Sequence, residues 1–376
     1  MVAAPATPRG KIGVILPSRE TFALRKSGAI ALCSRDFANY SRFRDSITIV
    51  GAAECEYPDV RYRRLTDWRR WWMRGRTAYA NAVVRAALDE AFAVLEIQNR
   101  PYTVGLARNR LSGTRFALHL QNDPQTMDGS RTVAERRDLL RRLDAVYCCS
   151  EFIRGQFLEG LEDESGKTIV VYNGIAANPV APPKERIFAF VGRVIPVKGV
   201  VELIKAFALA APQLPEWRLV IAGDDPDGLL SGPRAAVALE REALAGRLTL
   251  MGQVSHADAM ALYARAEIAV APSLWQEPFA RSAIEAMSNG CALIASARGG
   301  LAEVAAGAGE IVEPDDIAAF AATLRRVGSD DDLRRRLQAA GKAKAQEVFD
   351  IRRVIEPLDA ARARLLATHC RRSPLS

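Results

Sequence analysis

Short β-branched or apolar runs alternate with helix-length amphipathic stretches along this chain, and the alternation stops once and then restarts. That pattern is the mark of parallel strands joined by crossover helices. In the first half the strand candidates are Lys11 to Leu16, Ser46 to Val50, Val94 to Gln98, Phe116 to Gln121, Ala145 to Cys149 and Thr168 to Tyr172. Helical stretches between them include Ala29 to Tyr40, Thr77 to Ala91, Thr132 to Leu143 and Glu151 to Leu158. The break falls at Asn178-Pro179-Val180-Ala181-Pro182-Pro183-Lys184, where three prolines fix φ and remove backbone donors, so the segment reads as a linker. The second half resumes with Ile187 to Val191, Val200 to Ala211, Arg218 to Ala222, Arg247 to Leu250, Glu267 to Ala271, Ser282 to Ser288, Ala292 to Ala295 and Gly309 to Val312. Ser255-His256-Ala257-Asp258 fits a capping box that opens a helix from His256 to Arg265. After Asp315 the pattern is helical to the end.

A chain of 376 residues exceeds one ordinary core and suits two domains of roughly 180 residues each. The expected architecture is α/β, with two parallel-sheet domains at 1–177 and 187–349, a linker at 178–186, and a last helical segment, 350–376, long enough to reach back to the first domain. Ligands of open α/β sheets bind outside the carboxyl ends of strands, so a substrate cleft is expected between the two domains.

Hydrophobic residues make up 49% of the chain and charged residues 26%, which excludes a disordered chain. No apolar run approaches the roughly 20 residues that span a bilayer, and Met1 to Arg9 lack the apolar block of a secretory signal, so the expected compartment is the cytoplasm. The six cysteines, Cys33, Cys55, Cys148, Cys149, Cys291 and Cys370, have no C-x-x-C spacing and read as reduced thiols, with no metal site among them. The net charge of +8 is unevenly spread: residues 61–76 hold seven arginines and three tryptophans against one acid, Asp67. Such a segment suits an anionic membrane surface, nucleic acid held through phosphates and stacked bases, or a solvated face whose tryptophans pack inward.

The sharpest chemical signal is Trp275-Gln276-Glu277-Pro278-Phe279-Ala280-Arg281-Ser282-Ala283-Ile284-Glu285-Ala286-Met287. It follows a strand, so Glu277 falls in the loop at a strand's carboxyl end and Glu285 in the first turns of the next helix. Two carboxylates so placed can accept pairs of hydroxyl protons, as the diols of sugars and riboses require, and the helix start suits a phosphate. By spacing alone, a capping acid plus a solvated acid is the better explanation of the pair.

The whole run resembles the E-x7-E signature of retaining glycosyltransferases of family four, from its Glu-Pro-Phe start to its Glu-Ala-Met finish. Arg298-Gly299-Gly300-Leu301-Ala302-Glu303-Val304 is similar to the Gly-Gly-x-x-Glu segment that follows in that family. Ala280 departs from the family, which has glycine there. Phe190-Val191-Gly192-Arg193-Val194-Ile195-Pro196-Val197-Lys198-Gly199 reads either as a turn with two solvated cations or as a site that brings Arg193 and Lys198 to one anion. It resembles the family's Gly-Arg…Lys-Gly segment, whose cations neutralise the donor diphosphate. Ile221-Ala222-Gly223-Asp224 completes the layout.

The resemblance implies a GT-B fold, two Rossmann-like domains facing across a cleft, and donor binding by Glu285, Gly192, Gly223, Pro278, Phe279, Ala280 and Arg281. In the first half, Lys26-Ser27-Gly28-Ala29 offers either a plain helix start or a glycine turn at Gly28 that approaches the donor phosphate. Two similar strand ends, Leu95-Glu96-Ile97-Gln98-Asn99-Arg100-Pro101 and Leu118-His119-Leu120-Gln121-Asn122-Asp123-Pro124, aim polar groups at the expected cleft. A lone strand histidine is ordinarily a core residue. Members of the family carry a histidine after the matching strand, which implies His119 beside the transferred sugar and Asn99, Asn122 and Asp123 on the acceptor side. His256 and His369 have no evident role.

The implied reaction keeps the donor's anomeric configuration: the acceptor hydroxyl attacks on the face the diphosphate leaves, and the leaving phosphate oxygen takes the proton. Arg193 and Lys198 would stabilise the growing charge, Glu277 would hold the sugar and Glu285 the ribose of a UDP-, GDP- or ADP-sugar. No metal or other cofactor is expected. The closest motif wording implies a glycan or lipid-linked acceptor in bacterial surface-polysaccharide or lipopolysaccharide synthesis, with the 61–76 segment at the inner face of the membrane. The rivals are a nucleotide-sugar epimerase of the same fold and a basic nucleic-acid-binding protein. A nicotinamide dehydrogenase is disfavoured, because Gly10-Lys11-Ile12-Gly13 enters the first strand instead of following it.

Overall fold

The computed structural model describes residues 10–24, 26–66, 75–162, 166–176, 182–230, 238–244 and 246–370. The centre of the arginine and tryptophan segment, 67–74, and residues 177–181, which include the first part of the expected linker, lie outside the described residues. The chain divides into two compact units, residues 1–174 with 351–376, and residues 175–350.

The first unit runs β1 (Lys11–Ile15), β2 (Phe22–Ala23), β3 (Lys26–Ser27), α1 (Ala29–Asn39), β4 (Ile47–Gly51), β5 (Tyr62–Arg64), α2 (Gly75–Glu90), β6 (Phe92–Gln98), α3 (Pro101–Ala107), β7 (Arg115–Leu120), α4 (Val133–Arg142), β8 (Ala145–Cys148), α5 (Glu151–Leu158) and β9 (Thr168–Val170). Seven strands form one parallel sheet in the order β5-β4-β1-β6-β7-β8-β9, while β2 and β3 make a small antiparallel hairpin. All six expected strands are present. The edge strand β5, too short to show a period, and α3, opened by Pro101 in its first turn, are elements the sequence pattern did not reveal.

β6 is buried along its whole length, as a central parallel strand must be, yet it carries Glu96 at 0% exposure. A buried carboxylate needs a partner. It comes from the chain's last helix, which packs on β6, β7 and α1 and contributes Arg362. Arg362 Nε and Nη2 each donate to Glu96 at 2.8 Å, and Asp359 on the same helix accepts from Ser41 Oγ at 2.6 Å and Arg42 N at 2.8 Å.

The second unit runs β10 (Glu185–Val191), α6 (Val200–Ala210), β11 (Arg218–Ala222), α7 (Ala238–Ala243), β12 (Leu248–Gly252), α8 (His256–Arg265), β13 (Ala266–Ala271), α9 (Arg281–Ser288), β14 (Ala292–Ser296), α10 (Gly300–Ala305), β15 (Gly309–Val312), α11 (Ile317–Ser329) and α12 (Asp331–Glu347). The last helix of the chain is then α13 (Ile351–Cys370), in the first unit. The parallel sheet has the order β12-β11-β10-β13-β14-β15, and its core gathers Phe188, Phe207 and Trp217. Lys184, at the end of the linker, donates to the carbonyls of Tyr263, Ala266 and Asn289, and so ties β10 to the ends of α8 and α9. Burial beside it pushes the Cys291 thiol up to about 12, with Lys184 offsetting only part of the shift.

Candidate functional site

Both sheets reverse strand order once. In the second unit the chain leaves β10 toward β11 and β12, then returns to the other side of β10 with β13, β14 and β15. A reversal of this kind parts the loops beyond two adjacent strands and leaves a crevice at their carboxyl ends. Residues 192–199 leave β10 and residues 272–280 leave β13, so the two motifs flank one crevice. Gly199 makes their approach possible: it adopts φ 68°, and a Cβ there would lie 1.9 Å from the Pro272 carbonyl oxygen. The loops are joined by Leu274 N donating to Val197 O at 2.9 Å.

Glu277, 5% exposed, is the centre of this crevice. Its Oε1 accepts short bonds from Lys198 Nζ and from Ser273 Oγ, and Ser273 is itself held by Ser296 Oγ, which donates to its carbonyl at 2.7 Å. The backbone is held as firmly. Gly300 N donates to Glu277 O at 2.6 Å, Glu277 and Gly299 form an isolated parallel bridge, and a Cβ on Gly299 would lie 2.3 Å from Glu277 O. The Gly-Gly segment therefore positions the Glu277 main chain. Lys198 Nζ also lies 5.5 Å from the ring centroid of Trp275, which is 37% exposed.

Glu285 lies one helix turn pair further on and is 7% exposed. Its Oε1 accepts from Arg281 Nε at 2.8 Å and meets His256 Nε2 at 2.9 Å. Burial raises the Glu285 pKa, but His256 and Arg281 outweigh it and hold the carboxyl below its usual range. Arg281 is thus spent on Glu285, and His256, which had no evident role by sequence, belongs to the site. Its placement at the start of a capped helix was the available signal.

Arg193 is exposed and makes no ion pair among the described residues, so its guanidinium is open to a ligand. Other expected residues hold the framework. A Cβ on Gly223 would lie 1.7 Å from Gly192 O, so Gly223 permits strand ends to touch. Phe279 is buried and packs edge-on against Phe349 at 5.5 Å, and Pro278 is buried beside it. Ala280, the N-cap of α9, has φ 71° and ψ 71°, in the left-handed region that favours glycine, and gives α9 no side-chain cap.

In the first unit the sheet reverses between β1 and β6. Gly28 caps α1 there, against the Glu20 carboxylate, whose Oε1 accepts from Ala31 N at 3.2 Å. Asn99 follows β6 with φ 49°, and its Oδ1 accepts from Gln121 N at 2.7 Å while Nδ2 is buried without a partner. Asn122 is exposed, and Asp123 caps the turn Pro124–Thr126 by accepting from Gln125 N at 2.8 Å. The structure places His119 in the core of the first unit. It is 3% exposed, its ring lies edge-on to Tyr147 at 4.6 Å, and Nε2 is 3.4 Å from Glu96 Oε2. Burial holds its pKa below the usual histidine range, with Glu96 offsetting only part of that, so the ring is a neutral core group under α13. Strand alternation explains the outcome: His119 shares a sheet face with Glu96 and Tyr147.

Residues 175–344 match the profile of the family described as Glycosyl transferases group 1. A Bacillus subtilis protein named as a glycosyltransferase, YtcC, is 24% identical over 86% of this chain and 84% of its own. The glycogen synthase of Mycobacterium tuberculosis is 30% identical over 56% of this chain and 52% of its own. Among solved structures, sucrose-phosphate synthase from Thermosynechococcus elongatus superposes with a TM-score of 0.76 at 20% identity, over 96% of this chain and all of that one. Anabaena HepE, solved in complex with UDP-glucose, superposes with a TM-score of 0.72 at 19% identity over 95% of this chain and all of that one. The fold is the expected one, two parallel-sheet Rossmann-like domains of the GT-B type.

Proposed function

Because residues 175–344 form a glycosyl transferases group 1 domain, we propose that the protein is a retaining glycosyltransferase that moves a sugar from a nucleotide-sugar to a glycan or lipid-linked hydroxyl. The observation that carries this reading is the pairing of Glu277 with Lys198 at the strand-order reversal, beside the open guanidinium of Arg193 and the clamped carboxylate of Glu285. Sugar hydroxyls need buried acceptors and a departing diphosphate needs cations, and the two loops that flank this crevice supply both.

In the reaction, Glu277 accepts from hydroxyls of the transferred sugar and Glu285 from the ribose. Lys198, already on Glu277, bridges from the sugar to the diphosphate, and Arg193 joins it there. The start of α9, which has no side-chain cap, turns its positive dipole end to the same charge. The acceptor hydroxyl attacks on the face that the diphosphate leaves and passes its proton to the leaving phosphate oxygen, with no bound metal.

The basic surplus supports an anionic acceptor or membrane surface. Residues 1–174 and 351–376 hold 33 Lys and Arg against 22 Asp and Glu, whereas 175–350 hold 19 against 22. The excess therefore belongs to the unit without the donor motifs. No described helix is long and apolar enough to cross a membrane.

Incubation with UDP-, GDP- or ADP-sugars and a panel of glycan and lipid-linked acceptors tests the reading. Transfer should require an acceptor and disappear in Glu277→Gln and Arg193→Ala with folding intact. Consumption of donor without acceptor would indicate an epimerase instead.

A further inference from the structure

His256 is the first residue of α8, and the capping box around it fixes its backbone: Asp258 N donates to Ser255 Oγ at 3.1 Å. From that fixed base the ring reaches α9 and places Nε2 2.9 Å from Glu285 Oε1. The carboxylate is an acceptor only, so Nε2 carries the proton. Arg281 Nε approaches the same oxygen at 2.8 Å. Two donors converging on Oε1 fix the carboxylate plane and leave Oε2 without a protein partner among the described residues. The His256 side chain is 40% exposed, so its ring keeps a solvent-facing edge beside the buried Glu285. The cap of α8 is supplied by Ser255 and Asp258, not by the imidazole. The ring is therefore not required to hold the helix end.

We infer that His256 is a donor-recognition residue, which holds Glu285 so that its free oxygen accepts from the ribose hydroxyls of a nucleoside diphosphate. The inference rests on the ribose role proposed above for Glu285. Its chemistry is selective: an oxygen presented at a fixed angle to a 2′,3′-diol loses a charge-assisted bond when the 2′-hydroxyl is missing, an effect of about tenfold or more in affinity. Without His256 the carboxylate swings about its bond to Arg281, and the two kinds of ribose become harder to tell apart.

Calorimetry with UDP, GDP and ADP, followed by the 2′-deoxy form of whichever binds most tightly, tests this on the full chain. His256→Ala should weaken the ribonucleotide about tenfold and shrink the penalty for the deoxy form. His256→Phe, which keeps the ring's bulk and donates nothing, should do the same, and His256→Gln should restore most of both. In transfer assays the KM for donor should rise with kcat unchanged. Wild-type affinity and discrimination in His256→Ala and His256→Phe, or a fall in kcat at unchanged KM, would overturn the role of His256 and leave the glycosyltransferase reading standing. A wild-type chain that binds none of the three nucleotides would overturn that reading as well.

Discussion

The ammonium of Lys198 rests on the carboxylate of Glu277, 79 positions away in the chain and joined to it across the reversal of strand order. Each group answers the other's charge in a crevice where Glu277 is nearly enclosed. Removing one partner strands the other, so Lys198→Met and Glu277→Gln should each destabilise the protein by about 1–3 kcal/mol. The double variant should be less destabilised than the sum of the two, as urea denaturation of all four proteins would show. Additive effects would mean that the pair contributes nothing.

Ala280 is one of three non-glycine residues at positive φ among the described residues, an alanine at φ 71°. The left-handed region costs a residue with a Cβ roughly 1–2 kcal/mol, part of which glycine loses again through its freer unfolded chain. Ala280→Gly should therefore raise stability by about 0.5–1 kcal/mol, read as a higher urea midpoint at unchanged m-value. A lower midpoint would show that the methyl makes compensating contacts.

Gly299 tests whether the Glu277 backbone must stay where it is. A methyl placed 2.3 Å from Glu277 O has to move that carbonyl and weaken the bond from Gly300 N. A displacement of the reacting group near 1 Å costs roughly 10²-fold in rate, so Gly299→Ala should lose about that much kcat while Gly300→Ala, not at a positive φ, loses less. Equal activity in Gly299→Ala and wild type would refute the positioning role.

Arg362 and Glu96 give a prediction in pH. Burial raises the Glu96 pKa, but the Arg362 guanidinium outweighs it and holds it far below the ordinary 4.5. A depressed acid contributes stability above its unfolded pKa and loses it as pH falls through the folded value. Arg362→Met reverses the sign, because an unpaired buried carboxyl prefers its proton. The variant should be about 3–5 kcal/mol less stable at pH 7 and close much of the gap by pH 4, and adding Glu96→Gln should recover part of the loss at pH 7. Chemical denaturation at the two pH values checks both, and a gap that widens on acidification would contradict the assignment.

Much of the fold was readable from local pattern. Parallel strands buried on both faces leave continuous apolar runs, and the capping box at Ser255 needs only four consecutive residues. Elements that escaped, β5 and α3 among them, have three and seven residues, too few to establish a period. Of the site, Glu277, Glu285, Arg193 and Lys198 were legible because their run of neighbours is distinctive. Ser273, His256 and the backbone grip of Gly299 were not, since each acts through a contact that no short window contains.

His119 and His256 exchange places for the same reason. On its strand, His119 could have faced either layer, and the helix that returns from residue 351 put Arg362, 266 positions from Glu96, over its face and made it core. His256 became part of the site when α8 and α9 packed side by side. The sequence by itself determined the alternating elements, the division into halves and the identity of the charged residues, because backbone sterics and hydrophobic period act over a few neighbours. Only the tertiary structure decided which of those charges meet, because that depends on strand order and helix packing between residues far apart in the chain.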